Sequence, residues 1–194
     1  MRLYLMVLCL ILVASASGQS IDQIAESQFQ INRTGMLVLG SWAIANIGVG
    51  LYGNSQFSGD KKYFYQMNGM WNTVNLGLAA AGYFSAKDLL TDPTISSILD
   101  TQMRMENILL VNAGLDVGYI MAGFFLRERS KNIKKNSDRL LGYGNGLILQ
   151  GAFLLLFDSV MYGIHHSNAT EIIELTKNLS FNYLGSGISI SLKF

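Results

Sequence analysis

The chain has 194 residues, half of them apolar and only 14% charged, with a formal net charge of +1. Soluble domains carry about 25% charged residues, and six of the fourteen basic residues here fall between Arg127 and Arg139. The chain therefore lacks both the charge of an ordinary soluble domain and the broad basic face of a nucleic-acid binder. Lipid is the expected solvent, and no nucleic-acid partner is expected.

Residues 1–19 read as a secretory signal. Arg2 supplies the positive start, Leu3 to Val13 the apolar core, and Ala14-Ser15-Ala16 or Ala16-Ser17-Gly18 the small residues for cleavage. An uncleaved anchor is the alternative, but the core is short for a bilayer whose apolar layer is about 30 Å thick. The one cysteine, Cys9, lies in that core. The mature chain is then expected to have no disulfide and no thiol chemistry.

Residues 20–176 form the expected membrane domain, an all-α bundle of four spans near 35–53, 66–86, 107–126 and 140–164. Each has the roughly 20 residues that a crossing helix needs. Ser20 to Arg33 carries apolar residues at helical spacing without Gly or Pro, and should run straight into the first span. Asp92-Pro93, holding the only proline, reads as the cap and start of a helix leading into the third.

A cleaved signal leaves the new N-terminus outside, so the loops alternate inside, outside, inside. Lys61 and Lys62 fall in the first loop, and Arg127, Arg129, Lys131, Lys134, Lys135 and Arg139 in the third. Both loops belong inside by the positive-inside rule. The expected location is the inner (plasma) membrane, with both termini outside and loop 127–139 cytoplasmic.

A shared pattern of Asn or Asp, any residue, Gly, four residues, Gly runs through three spans. It reads Asn46 to Gly53, Asn75 to Gly82 and Asp116 to Gly123, and suggests a duplicated helical hairpin. Residues 177–194 change period. Leu179, Phe181 and Tyr183 alternate with polar residues, then Ile188, Ile190, Leu192 and Phe194 do so after Gly185-Ser186-Gly187. Period two around a glycine-rich break predicts a short β-hairpin, packed outside on the helix ends.

A polar group in hydrocarbon costs several kcal/mol unless it finds a partner. The candidate site residues are therefore those polar side chains within spans. Asn68, Asn72 and Asn75 share one face of the second span, and Asn112, Asp116 and Tyr119 one face of the third. Asn46 lies with Gly50 and Gly53 on the first, and Asp158, Tyr162 and His165 climb the fourth. One reading is interhelical glue, with amides and small residues joining helices. The other centres on Asp116 and Asp158, which have no Lys or Arg in the spans to neutralise them. Each must be protonated, paired with amides or bound to a cation, as in ion- and proton-handling proteins.

His165 and His166 are the only histidines and weak candidates for a metal. No cofactor is expected. No nucleophile elbow, P-loop or dinucleotide fingerprint marks an enzyme.

The layout of signal, Gly/Asn-rich spans and alternating tail resembles uncharacterised small membrane proteins of Bacteroidota. Ser17-Gly18-Gln19 and the Asn/Asp-x-Gly spans carry the resemblance. It implies four spans and no particular activity. The leading expectation is a small structural or interaction protein of the bilayer, as a homo-oligomer or with another membrane protein. The alternative is an ion- or proton-coupled channel, transporter or sensor using Asp116 and Asp158.

Overall fold

The computed structural model describes residues 21–178, 181–184 and 187–190. The signal read in residues 1–19 lies outside the described residues. Four long helices make the fold: α1 Ile21–Gln56, α2 Gly59–Ser85, α3 Ile95–Lys131 and α4 Ser137–Asn178. A 3-10 turn, Ala86–Leu90, follows α2. α1 runs 36 residues and α3 37 without a break. Each is roughly 55 Å long, far more than a bilayer's apolar layer.

The start of α3 differs from the expected one. Its cap is Thr94, not Asp92. The Thr94 hydroxyl accepts from the Ser97 backbone N–H at 3.1 Å, while Ser97 Oγ accepts from the Thr94 N–H at 3.0 Å. This reciprocal box satisfies two donors that Asp92 cannot reach, and it sets the helix start beyond the proline.

Side-chain contacts fix the helix directions. Gly50 faces Gly69, Gly53 faces Tyr65 and Gly82 faces Met36, so α1 and α2 are antiparallel. Gly144 faces Gly123 and Gly151 faces Ile120, so α3 and α4 are antiparallel too. α2 and α4 run parallel, with Gly142 against Asp60 and Gly146 against Met67. α4 is thus the central helix, gripped on two sides through glycines. A Cβ at Gly142 would lie 2.3 Å from the Asp60 carbonyl oxygen, so only glycine allows that approach. The backbones of α2 and α3 make no close approach among the described residues, and the two helices meet through the rings of Trp71 and Tyr119.

The molecule is inside out relative to a soluble bundle. Gln28, Asn68, Asn72, Gln102, Asp116, Gln150 and Asp158 are buried, while Leu51, Val74, Leu78, Val111, Phe125 and Leu156 are exposed. Apolar side chains facing outward around a hydrogen-bonded interior suit a hydrocarbon solvent. Three helices are long and apolar enough to cross a membrane: Ile21–Gln56, Ile95–Lys131 and Ser137–Ala169. α2 is not among them, which corrects the expectation of four alike apolar spans. Its 27 residues suffice in length, but Asn68, Asn72 and Asn75 lower its hydropathy, and all three are buried.

At one end α1, α3 and α4 converge on Ala25, Ile98 and Ile172. In the tail, the backbone of Phe181–Leu184 pairs antiparallel with Gly187–Ile190. Among the described residues this pair meets no helix. The expected hairpin packed on the helix ends is therefore unsupported, and the architecture is that of the four helices.

Candidate functional site

The polar interior divides into an amide ladder, a carboxyl pair and an end cluster. The ladder is built on α2. Asn72 Nδ2 donates to the Asn68 carbonyl at 2.9 Å and Asn75 Nδ2 to Asn72 Oδ1 at 3.3 Å. Gln150 of α4 joins it, donating from Nε2 to Asn68 Oδ1 at 2.9 Å. Gln150 Oε1 accepts from Trp42 Nε1 of α1 at 3.2 Å. Trp42 also stacks on Phe153, with centroids 3.8 Å apart and planes 5° from parallel. One fully buried amide thus ties three helices.

Asn46 stands apart from this ladder. Its Nδ2 donates to the carbonyl of Trp42, one turn back on its own helix, at 2.9 Å. The Trp42 ring packs on Phe153 and the Trp71 ring on Tyr119.

One to two turns beyond Gln150 lies a cleft of about 220 Å³. α2 contributes Trp71, Val74, Asn75 and Leu78, α3 Asn112, Leu115, Asp116 and Tyr119, and α4 Leu154, Phe157 and Asp158. Asp116 and Asp158 are 2% and 5% exposed. Both line the one cleft, and their carboxyls are close enough to interact electrostatically. Asp116 Oδ2 is buried and has no hydrogen-bond partner among the described residues. No Lys or Arg lines the cleft. Two carboxylates that share a cleft without a basic partner repel each other when both are charged away from water.

Asn75, Asn112 and Tyr119 join the pair in the cleft, whereas Asn46 and Asn72 do not line it. Tyr162 turns away, stacking on His166 with centroids 5.6 Å apart.

The end cluster was not foreseen as a unit. Gln28 Nε2 of α1 donates to Gln102 Oε1 of α3 at 2.8 Å and to the Ile98 carbonyl at 3.3 Å. Gln102 Nε2 donates to the His165 carbonyl and to Glu106 Oε1, the latter at 3.1 Å. His165 is buried, and its Nδ1 has no partner among the described residues. His166 is exposed, with Nδ1 3.6 Å from Glu106 Oε1. Neighbours on a helix point about 100° apart, so the two imidazoles diverge. No group of three or more metal-ligating side chains occurs among the described residues.

Gln28, Asn32, Gln102, Ser130 and Gln150 are buried polar groups that were not among the expected site residues. Gln150 had a usable signal, since it interrupts the run from Leu147 to Phe157 as the asparagines interrupt theirs.

Fold and interior together define a helical bundle with an apolar exterior, a hydrogen-bonded core and a paired acid. A family model described as a family of unknown function (DUF6992) matches residues 38–159. The match covers more than half of the chain, and the chain belongs to that family. The matched stretch takes in both Asp116 and Asp158. No curated protein and no solved structure matches the chain.

Proposed function

We propose that the Asp116–Asp158 pair holds a proton or a small monovalent cation within the membrane, making this an ion- or proton-coupled channel, transporter or sensor. The observation that carries the reading is the presence of two acids from different helices in one cleft without a basic side chain. Amide-capped, separated carboxyls would have served as glue; a shared cleft gives them something to bind. α2 crosses with the other three, because the turns at either end return the chain and α2 packs between α1 and α4. The membrane is the plasma membrane, with both termini outside and loop 127–139 on the cytoplasmic side, as the basic residues favour. The lipid bilayer is the partner that suits the exposed apolar surface.

A structural or interaction role is the second reading, and the Trp42–Gln150–Asn68 network supports it. Flux separates the two. In proteoliposomes loaded with a pH-sensitive dye, and separately with radiolabelled sodium, an imposed potential should drive ion entry above that of protein-free vesicles. Asp116→Asn or Asp158→Asn should lower it at least tenfold. Wild-type flux equal to that of empty vesicles for both ions, or equal in the variants, would leave only the structural role.

A further inference from the structure

The geometry points to a lateral binding site: the cleft between α2 and α3 admits from the lipid a monocationic amphiphile, a protonated amine on an apolar body, whose head reaches Asp116 and Asp158. This rests on the carboxyl-pair reading above and adds what the pair meets and by which route.

The route follows from the walls. The backbones of α2 and α3 stay apart, the two helices meeting through Trp71 and Tyr119, and α4 closes the cleft behind them. Its rims are Val74, Leu78 and Leu115, which are 62%, 61% and 51% exposed on the outer surface. In a bilayer those side chains face acyl chains, so the opening is sideways and a ligand arrives already dissolved in lipid.

The chemistry of the ligand follows from the floor. Two carboxylates sharing one proton leave one negative charge, and no cationic side chain of the cleft answers it. Asp116 lines the cleft, and its buried Oδ2, which has no hydrogen-bond partner among the described residues, can accept from an ammonium N–H. Trp71 and Tyr119 meet edge to face beside it, with centroids 4.7 Å apart, and such rings favour a cation over a neutral head. At about 220 Å³ the cleft is smaller than the roughly 300–1,000 Å³ pockets that enclose a whole drug-sized ligand. It fits a ring-sized head whose tail stays between the exposed rim residues.

The test uses the full chain in lipid nanodiscs with radiolabelled 4-butylbenzylamine, and with 4-butylbenzyl alcohol as the neutral probe of the same shape. The amine should bind saturably, one per chain, and at least tenfold more tightly than the alcohol. Asp116→Asn should weaken it at least tenfold. Leu78→Trp, which narrows the rim and leaves the floor intact, should weaken it as well. Equal binding of amine and alcohol, unsaturable uptake matching empty nanodiscs, or unchanged binding in Asp116→Asn would overturn the proposal. The comparison of the two probes on the wild-type chain decides without any variant, should Asp116→Asn fail to fold. If the amine does not bind while ion flux still depends on Asp158, the ligand class falls and the carboxyl-pair reading stands. If flux is independent of both acids, the underlying reading falls.

Discussion

Gln150 uses both ends of one side-chain amide, donating to Asn68 and accepting from Trp42. Replacement by leucine keeps the bulk but strands the Trp42 N–H and the Asn68 oxygen in a water-free interior. Hydrogen bonds between membrane helices are worth roughly 0.6–2 kcal/mol. Gln150→Leu should therefore lose about 1–2 kcal/mol, read as a lower thermal midpoint in detergent; an unchanged midpoint would show that the ladder carries no stability. The acids and asparagines were legible because each interrupts an apolar run. Gln28 and Gln102 were not, because they lie where α1 and α3 extend past the spans and polar residues are ordinary there. That they meet depends on two overhanging helices leaning together, which no local pattern encodes.

Glycine positions distinguish what packs from what merely sits in lipid. In the repeat of the first three helices the nearer glycine, at Gly48, Gly77 and Gly118, has nothing within 4 Å of an added Cβ. The farther one, at Gly53, Gly82 and Gly123, is packed against Tyr65, Met36 and Ile148. Gly118→Ala should be neutral or stabilise by up to about 1 kcal/mol through helix propensity. Gly142→Ala should destabilise by about 1–3 kcal/mol, because its Cβ meets backbone of α2. Parallel unfolding of the two variants checks this, and equal effects would refute the proposed packing. The same glycines set the register that unites the acids. Gly151 rests against the Asp116 carbonyl, and Asp158 follows seven residues on, roughly 10 Å along the axis. Side chains lean toward the N-terminus of their own helix, so in an antiparallel pair the two carboxyls lean toward one another and narrow that gap. Helix number could be read from apolar runs, but not the length of α4, which runs 42 residues against an expected span of 140–164. This register could not, since it depends on which glycine of α4 faces which turn of α3.

At the scale of the whole molecule, the inside-out distribution makes the bilayer part of the fold. α2 has a less apolar span than the other three helices, but its asparagines are buried and Asn68 is bonded to α4. If all four helices cross, single cysteines at Ser58 and Lys134 should react with an impermeant maleimide from one side, and a cysteine at Leu90 from the other. Labelling of Ser58 and Leu90 positions from the same side would show that α2 does not cross. The central claim is that Asp116 and Asp158 act as one unit. A double-mutant cycle of Asp116→Asn, Asp158→Asn and the double variant, read by unfolding free energy in one detergent, tests it most directly. Residues in contact couple by about 0.5–3 kcal/mol, and distant ones add within roughly 0.5 kcal/mol. A coupling of at least about 1 kcal/mol, of either sign, is expected; strict additivity would mean that the two carboxyls do not share a proton or a cation.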